Sequence, residues 1–322
     1  MREICIVPTY RRPEMLYYCL TLIRHYEPTM PIAVFPDRGT RNDKEIRDVM
    51  DIFDPEITAA MLVPEHDYYG NTYNTMEALR WAYNGIWDRV YYIEDDVMVH
   101  HDFFDWHRRM HEEYSDEMDL FASMGWVFNH FAPINEDVLM QPWYYSVGTC
   151  FSVEKLELIV KHANPFYYRD MPGYIEKAFP KSILNTAASI SHYEQDGLIQ
   201  RVMELDRSQT ITSGMGRCTH LGPFGYNKGW EKRADFFGDA KTFEERVARI
   251  SKLIADPYWR ASLFGREIVE REIGKVLPPK FNKYLLRVGE FECAYESELG
   301  IDELPKRLRS VPRTPEMEIV VE

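Results

Sequence analysis

The chain has no long hydrophobic run. None of its 322 residues lies in a stretch near the roughly 18 apolar residues of a transmembrane helix, which excludes a helical membrane span. Cysteine is scarce. Cys5, Cys19, Cys150, Cys218 and Cys293 are scattered, odd in number and without metal-type spacing. That excludes a disulfide scaffold or a zinc-finger array, and reduced thiols in a cytoplasmic protein are expected. The chain enters an apolar strand, Ile4–Val7, at once, so no signal peptide is expected. Positive charge is also short: 38 Lys and Arg face 52 Asp and Glu, a net −14, which argues against a general nucleic-acid coat. The deficit is uneven, because residues 201–322 carry 21 basic against 20 acidic side chains. Glycine is missing from Pro8-Thr-Tyr-Arg-Arg-Pro13, where a phosphate loop after the first strand would need it. No internal repeat or low-complexity segment is present.

What is there is a strand that ends in acids, Val90-Tyr-Tyr-Ile-Glu-Asp-Asp-Val-Met-Val99. Adjacent carboxylates repel, so Glu94, Asp95 and Asp96 at a strand end call for a cation. Hard oxygen donors suit Mg²⁺ or Mn²⁺. Before and after this point the chain alternates. Residues 3–7, 31–35, 58–63 and 90–93 read as strands; 14–26, 43–53 and 71–87 carry helical spacing. The order β-α-β-α-β-α-β with short connections predicts an α/β fold with a doubly wound, mainly parallel sheet and flanking helices. Ligands on such sheets bind beyond the carboxyl ends of the strands. Pro8 to Arg12, Asp37-Arg38 and Glu94 to Asp96 all lie at those ends.

Farther on, Phe121–Val127 and Tyr144–Phe151 read as strands, and Val153–His162 and Leu198–Leu205 as helices. Gly214–Gly229 reads as a mobile loop. Phe243–Ile254 and Trp259–Glu272 read as helices, and Pro278–Glu322 as an extended tail. The domain reading is residues 1–230 as one body, with a nucleotide half 1–105 and an acceptor half 106–230, followed by a C-terminal extension, 231–322.

Ile93-Glu-Asp-Asp-Val97 followed by Asp102-Phe-Phe104, the helix ending Leu22–Pro28, and the segments Thr210–Gly214 and Gly216–Gly222 together resemble family 13 glycosyltransferases. These are the N-acetylglucosaminyltransferase I-like enzymes, which have a Rossmann-like GT-A fold. The opening Val7-Pro-Thr-Tyr-Arg11 is more similar to family 2 glycosyltransferases. Family 13 enzymes are Golgi membrane proteins, whereas this chain shows no anchor. The resemblance implies a nucleotide-sugar donor held on a metal at a DXD-like strand end. It implies that Asp37 reads uracil, that Arg11 contacts the nucleotide and that residues 210–222 close over the donor.

On this reading Asp96 ligates the metal, and Glu94 and Asp95 hydrogen-bond ribose and sugar hydroxyls. Pro8, Thr9, Arg11 and Asp37 line the donor side, with Arg12 able to reach phosphate or base. His220 is a second metal ligand or a phosphate contact, and Arg217 pairs with the diphosphate. An inverting transferase needs a carboxylate base opposite the leaving group. Asp196 in Tyr193-Glu-Gln-Asp-Gly197 is the candidate and Glu194 its rival; either can instead cap the helix that follows. Trp126, Trp143, Tyr144 and Tyr145 are core aromatics or sugar-stacking faces.

The expected activity is therefore metal-dependent inverting transfer of a sugar, from a UDP-sugar by the resemblance, to an acceptor hydroxyl. That acceptor is a glycan or a hydroxylated base in DNA. The alternatives are a nucleotide-sugar-binding module without turnover and a nucleotidyltransferase.

Overall fold

A computed structural model of the chain describes residues 1–37, 43–53, 57–58, 70–114, 120–126, 138–186, 193–213, 216–220, 237–255, 282–288, 291–297 and 317–321. Two compact units divide it. The first is Met1–Gly125 with Met140–Thr212; the second is Trp126–Leu139 with Ser213–Glu322.

The first unit is built on an eight-stranded sheet of order β3-β2-β1-β4-β8-β6-β9-β7. The strands are β1 (Glu3–Thr9), β2 (Ile32–Pro36), β3 (Ile57–Thr58), β4 (Arg89–Tyr92), β6 (Leu120–Met124), β7 (Val138–Gln141), β8 (Thr149–Ser152) and β9 (Gln209–Ser213). A short strand, β5 (Val97–Val99), follows β4. Pairing is parallel between β1 and β2, β1 and β4, β2 and β3, and β6 and β9. β8 runs against its neighbours, β4 and β6. Strands covered on both faces need apolar residues at every position, and β1 is buried from Ile4 to Thr9. The fold is thus α/β with a mixed, mostly parallel sheet and flanking helices, as the strand-helix alternation predicts.

Helix α1 (Pro13–Tyr26) starts with Pro13 in its first turn, where a missing N–H costs nothing, and carries Arg24 and His25 in its last turn. Helix α2 spans Lys44–Phe53, α3 Asn71–Tyr83 and α4 Phe103–Tyr114. The core joins Ile4, Ile6, Phe35, Met76, Leu79, Tyr92, Phe121, Phe151 and Ile199.

Several expectations are corrected. Tyr144–Gly148 is not strand; β8 begins at Thr149. The backbone there bonds side chains instead of a ladder. Tyr144 N–H donates to Gln200 Oε1 at 2.7 Å, and Gly148 takes a left-handed φ of 63°. Three short helices, α6 (Pro165–Arg169), α7 (Met171–Ala178) and α8 (Lys181–Thr186), follow α5 (Val153–Val160). Asn164 and Asp170 cap the first two with side-chain acceptors, each just before a proline-bearing first turn. Helix α9 runs from Gln195 to Asp206, three residues earlier than the apolar spacing suggests. The outer part of the third predicted strand, 59–63, and the helix predicted at 259–272 lie outside the described residues.

At the amino ends of β1 and β4 the first unit holds an ionic network in which each ion has a partner of opposite sign. Glu3 accepts from Arg89 at 2.7 Å, from Tyr91 Oη at 3.1 Å and from Arg108 Nε at 2.9 Å. Arg108 also reaches Glu27 at 2.6 Å and Asp105 at 3.1 Å. Beside it His111 lies buried, its Nε2 3.2 Å from the Cys150 carbonyl oxygen.

The second unit contains β10 (Cys218–His220), within the segment read as a loop, and helix α10 (Phe243–Ala255). Thr242 and Glu245 close a reciprocal cap on α10: Glu245 N–H donates to Thr242 Oγ1 at 3.2 Å, and Thr242 N–H to Glu245 Oε2 at 3.0 Å. Within the predicted extended tail, β11 (Asn282–Val288), β12 (Phe291–Ser297) and β13 (Met317–Val321) form a three-stranded antiparallel sheet of order β12-β11-β13. Its register sets Lys283 opposite Glu296, and Arg287 opposite Glu292 and Glu318. Among the described residues no helix is long and apolar enough to cross a membrane.

Candidate functional site

The strand order 3-2-1-4 reverses direction at β1, so the crevice between β1 and β4 is a topological switch point. Registered pairing of β1 with β4 ends at Ile6 and Tyr92. Pro8, buried and without an N–H, sits beyond that last pair, where the ladder asks no donor of it. Beyond it the acids of the β4 end meet the residues that follow β1.

Asp95 is fully buried. Its Oδ2 accepts from Thr9 Oγ1 at 2.6 Å and from Tyr10 N–H at 3.2 Å, and its Oδ1 pairs with the Arg12 guanidinium. Burial pushes its carboxyl up to about 6, with the Asp96 charge adding and the Arg12 charge and the two hydrogen bonds opposing. Asp95 and Thr9, both expected on the donor side, are hydrogen-bonded to one another. Arg12 also pairs with Asp96. Burial disfavours the Arg12 charge, but Asp95, Asp96 and Glu94 outweigh it and hold the guanidinium protonated.

Arg11 turns the other way. It is exposed, its φ is 50°, and its guanidinium lies 5.3 Å over the Tyr10 ring. A left-handed, non-glycine residue here costs on the order of 1 kcal/mol and is held by its surroundings. The backbone turn at Arg11 sends the side chain of Arg12, not that of Arg11, to the acids. Arg12 is the chief residue that the sequence underrates, and only the sign of one φ separates it from its neighbour.

Glu94 is partly buried and accepts from Tyr92 Oη at 2.6 Å; that hydroxyl is 3.2 Å from Thr75 Oγ1. Carboxylate oxygens of Glu94 and Asp96 lie within 4.8 Å of one another. Two hard oxygen donors at that separation fit a Mg²⁺ or Mn²⁺ ion, with small side-chain adjustment and remaining ligands from water or phosphate.

Asp37 is buried at the end of β2. Its Oδ2 accepts from Gly70 N–H at 2.9 Å, and its own N–H donates to the Thr9 carbonyl at 3.0 Å. Gly70 precedes α3 at φ 100°, and a Cβ there would meet nothing within 4 Å, so conformation alone calls for glycine.

Asp196 lies in the first turn of α9, partly buried, where the helix dipole favours a carboxylate. Ser146 Oγ donates to its Oδ2 at 3.3 Å. Burial raises the Tyr92 and Tyr144 hydroxyls, and the charges of both Glu94 and Asp196 raise them further. Both carboxylates thus act on the same two buried phenols, and Glu94 accepts directly from Tyr92. Thr72 Oγ1 donates to Gln195 Oε1 at 2.6 Å and so ties the start of α9 to α3. Glu194 takes the N-cap position with an exposed side chain that makes no capping bond.

The first unit thus collects Pro8, Thr9, Arg12, Asp37, Glu94, Asp95, Asp96, Glu194 and Asp196. Arg217 and His220 belong to the second unit, where Arg217 is buried and the His220 ring lies edge-on to Trp126 at 6.2 Å. Of the other aromatic candidates, Tyr144 is core, Tyr145 is partly buried, and Trp143 is exposed.

No family model matches the chain, so the likeness to family 13 stays a resemblance, and no curated protein matches it by sequence. Among solved structures it is similar to the mannosyltransferase PcManGT from Pyrobaculum calidifontis in complex with GDP-Man and Mn²⁺. Identity is 15%, the TM-score is 0.43, and 79% of this chain and 64% of that one are covered. It is similar also to S. aureus TarS 1–349 in complex with UDP, at 11% identity and a TM-score of 0.43, over 83% of this chain and 73% of that one. The chain spans less than two thirds of the mannosyltransferase, and at these scores neither likeness bears on its activity.

Proposed function

We propose that the chain is a metal-dependent, inverting glycosyltransferase of GT-A type, taking a sugar from a nucleoside-diphosphate donor, a UDP-sugar, to an acceptor hydroxyl. The observation that carries this is the carboxylate excess at the switch point. Among the described residues Asp95 and Asp96 pair with Arg12 beside Glu94, and the charges of Glu94 and Asp196 both act on the buried Tyr92 and Tyr144 hydroxyls. A sheet edge of that charge suits a divalent ion and a diphosphate together.

Glu94 and Asp96 would hold Mn²⁺ or Mg²⁺. When bound, such an ion neutralises charge on the departing nucleoside diphosphate. His220 is retained as a further ligand and Arg217 as a diphosphate partner on their chemistry alone. Asp37 is the base-reading carboxylate, at the end of β2. Asp196 takes the proton of the acceptor hydroxyl as its oxygen bonds to the anomeric carbon, and the bond to the diphosphate breaks on the opposite face. Ser146 orients that carboxylate.

The test is product formation, read by mass spectrometry, from a panel of nucleotide sugars with both glycan and hydroxylated-DNA acceptors. A one-sugar mass gain with nucleotide release is expected, lost with a chelator and in Asp96→Asn. Donor binding with no product on any acceptor would leave a binding module. Transfer of the nucleotide itself would make the chain a nucleotidyltransferase. An anomeric configuration retained in the product, by NMR coupling, would remove the base role of Asp196.

A further inference from the structure

Arg12 reaches two carboxylates at once. Its side chain is mostly buried, at 16% exposure, and it pairs with Asp95 and with the Oδ2 of Asp96. Asp96 is also the residue to which the proposed function assigns the metal. Two cations therefore claim one carboxylate. Asp95 has its own neutral donors, Thr9 Oγ1 and Tyr10 N–H, and keeps them whichever way the guanidinium lies. The left-handed Arg11 immediately before it fixes the direction in which Arg12 leaves the backbone. Such strain, held beside a ligand edge, is a mark of a residue whose placement matters to function.

We propose that Arg12 is the resident counter-ion of Asp96 and that a divalent cation binds by displacing it. The inference rests on the reading of Glu94 and Asp96 as metal ligands. A positive group a few ångströms from a divalent ion opposes it even in a water-like medium, by an amount worth about a factor of ten in affinity. The released guanidinium keeps its charge and is suited to a phosphate oxygen, which it can grip with two donors. Arg12 would thus weaken the metal alone and strengthen the metal with diphosphate. An anionic ligand becomes a condition for tight metal binding.

Two measurements test this without any turnover. In the first, Mn²⁺ is titrated by electron paramagnetic resonance into the full-length protein and into Arg12→Met, Arg12→Lys and Asp96→Asn. Arg12→Met should bind Mn²⁺ alone about tenfold more tightly and gain less from added UDP than the parent does. Arg12→Lys should stay near the parent. Unchanged or weaker Mn²⁺ binding in Arg12→Met overturns the displacement and makes Arg12 a residue that positions the ligands. Unchanged binding in Asp96→Asn instead removes the metal reading itself, so the two failures are distinct. In the second, the parent protein with labelled arginine is followed by NMR as Mg²⁺ alone, without UDP, is added. This needs no variant and stands if Arg12→Met does not fold. The slow rotation of a guanidinium held by two carboxylates should be lost on saturation; slow rotation that persists overturns the proposal.

Discussion

The two ends of the first unit's central strands treat charge in opposite ways. At the amino ends of β1 and β4, Arg89 and Arg108 meet Glu3, Glu27 and Asp105, and each ion has a partner of opposite sign. At the carboxyl ends, among the described residues, the Arg12 guanidinium pairs with Asp95 and Asp96 beside Glu94, with Asp37 and Asp196 on adjoining elements. A charge that serves only the fold can be balanced in place. Among the described residues the carboxyl end carries the larger acidic excess, and it is the end to which the proposed function assigns the donor.

The sharpest break of this contrast is Asp196→Asn. It keeps the size and the Ser146 hydrogen bond but cannot take a proton. Turnover should fall about 10²–10⁴-fold with donor affinity nearly unchanged. Steady-state kinetics check this; turnover near the parent's, with a large loss for Glu194→Gln, would move the base to Glu194.

At the amino end, Glu3→Gln should leave Arg89 and Arg108 without their shared carboxylate and cost about 3 kcal/mol of stability. Denaturant unfolding measures it, and Mn²⁺ affinity should not move. A loss of metal affinity in this variant would mean that the two ends are not independent.

A smaller effect sits beside the same network. Burial, with the Arg89 charge, holds the His111 imidazole down to about 4 in the folded chain, against about 6.5 unfolded. Between those values the unfolded chain binds the extra proton. Stability is then full above pH 6.5 and is lost as pH falls toward 4, by about 2 kcal/mol at pH 5. His111→Gln keeps a donor for the Cys150 carbonyl and does not titrate. Its melting temperature should fall less between pH 7 and pH 5 than the parent's, and parallel curves would count against the assignment. The smallest expected effect is Arg11→Gly. Glycine accepts φ 50° freely, so stability should rise by a few tenths to about 1 kcal/mol, or stay level once the entropy of the unfolded glycine offsets the relief.

The alternating elements of the nucleotide half, and the place of its acids, were legible in the sequence. Buried parallel strands need continuous apolar runs, and Glu94-Asp95-Asp96 interrupts one at its end. The use of those acids was less legible. Asp95 reads the same as Asp96 until burial separates them, and Arg11 and Arg12 differ only through the backbone turn between them. Tyr144–Gly148 reads as part of the strand because Tyr144 packs in the core, yet Gln200, from a helix far along the chain, takes the backbone donor that a neighbouring strand would need. The start of α9 was hidden because polar Gln195 and Asp196 carry no apolar periodicity. Its first turn is tied down by Thr72, more than a hundred residues upstream. The C-terminal sheet depends on pairing Asn282–Val288 with Met317–Val321 across a long, proline-bearing interval, and local spacing does not record such a pairing.

Asp37 accepts the backbone proton of Gly70, and Gly70 opens α3. A ligand that bonds the Asp37 carboxylate changes the acceptor of that proton, whether it takes the other oxygen or displaces Gly70. The amide of Gly70 is therefore a built-in spectroscopic reporter. Its chemical shift and its exchange with deuterium should register a nucleobase at the end of β2, in a protein that needs no added label beyond the isotope.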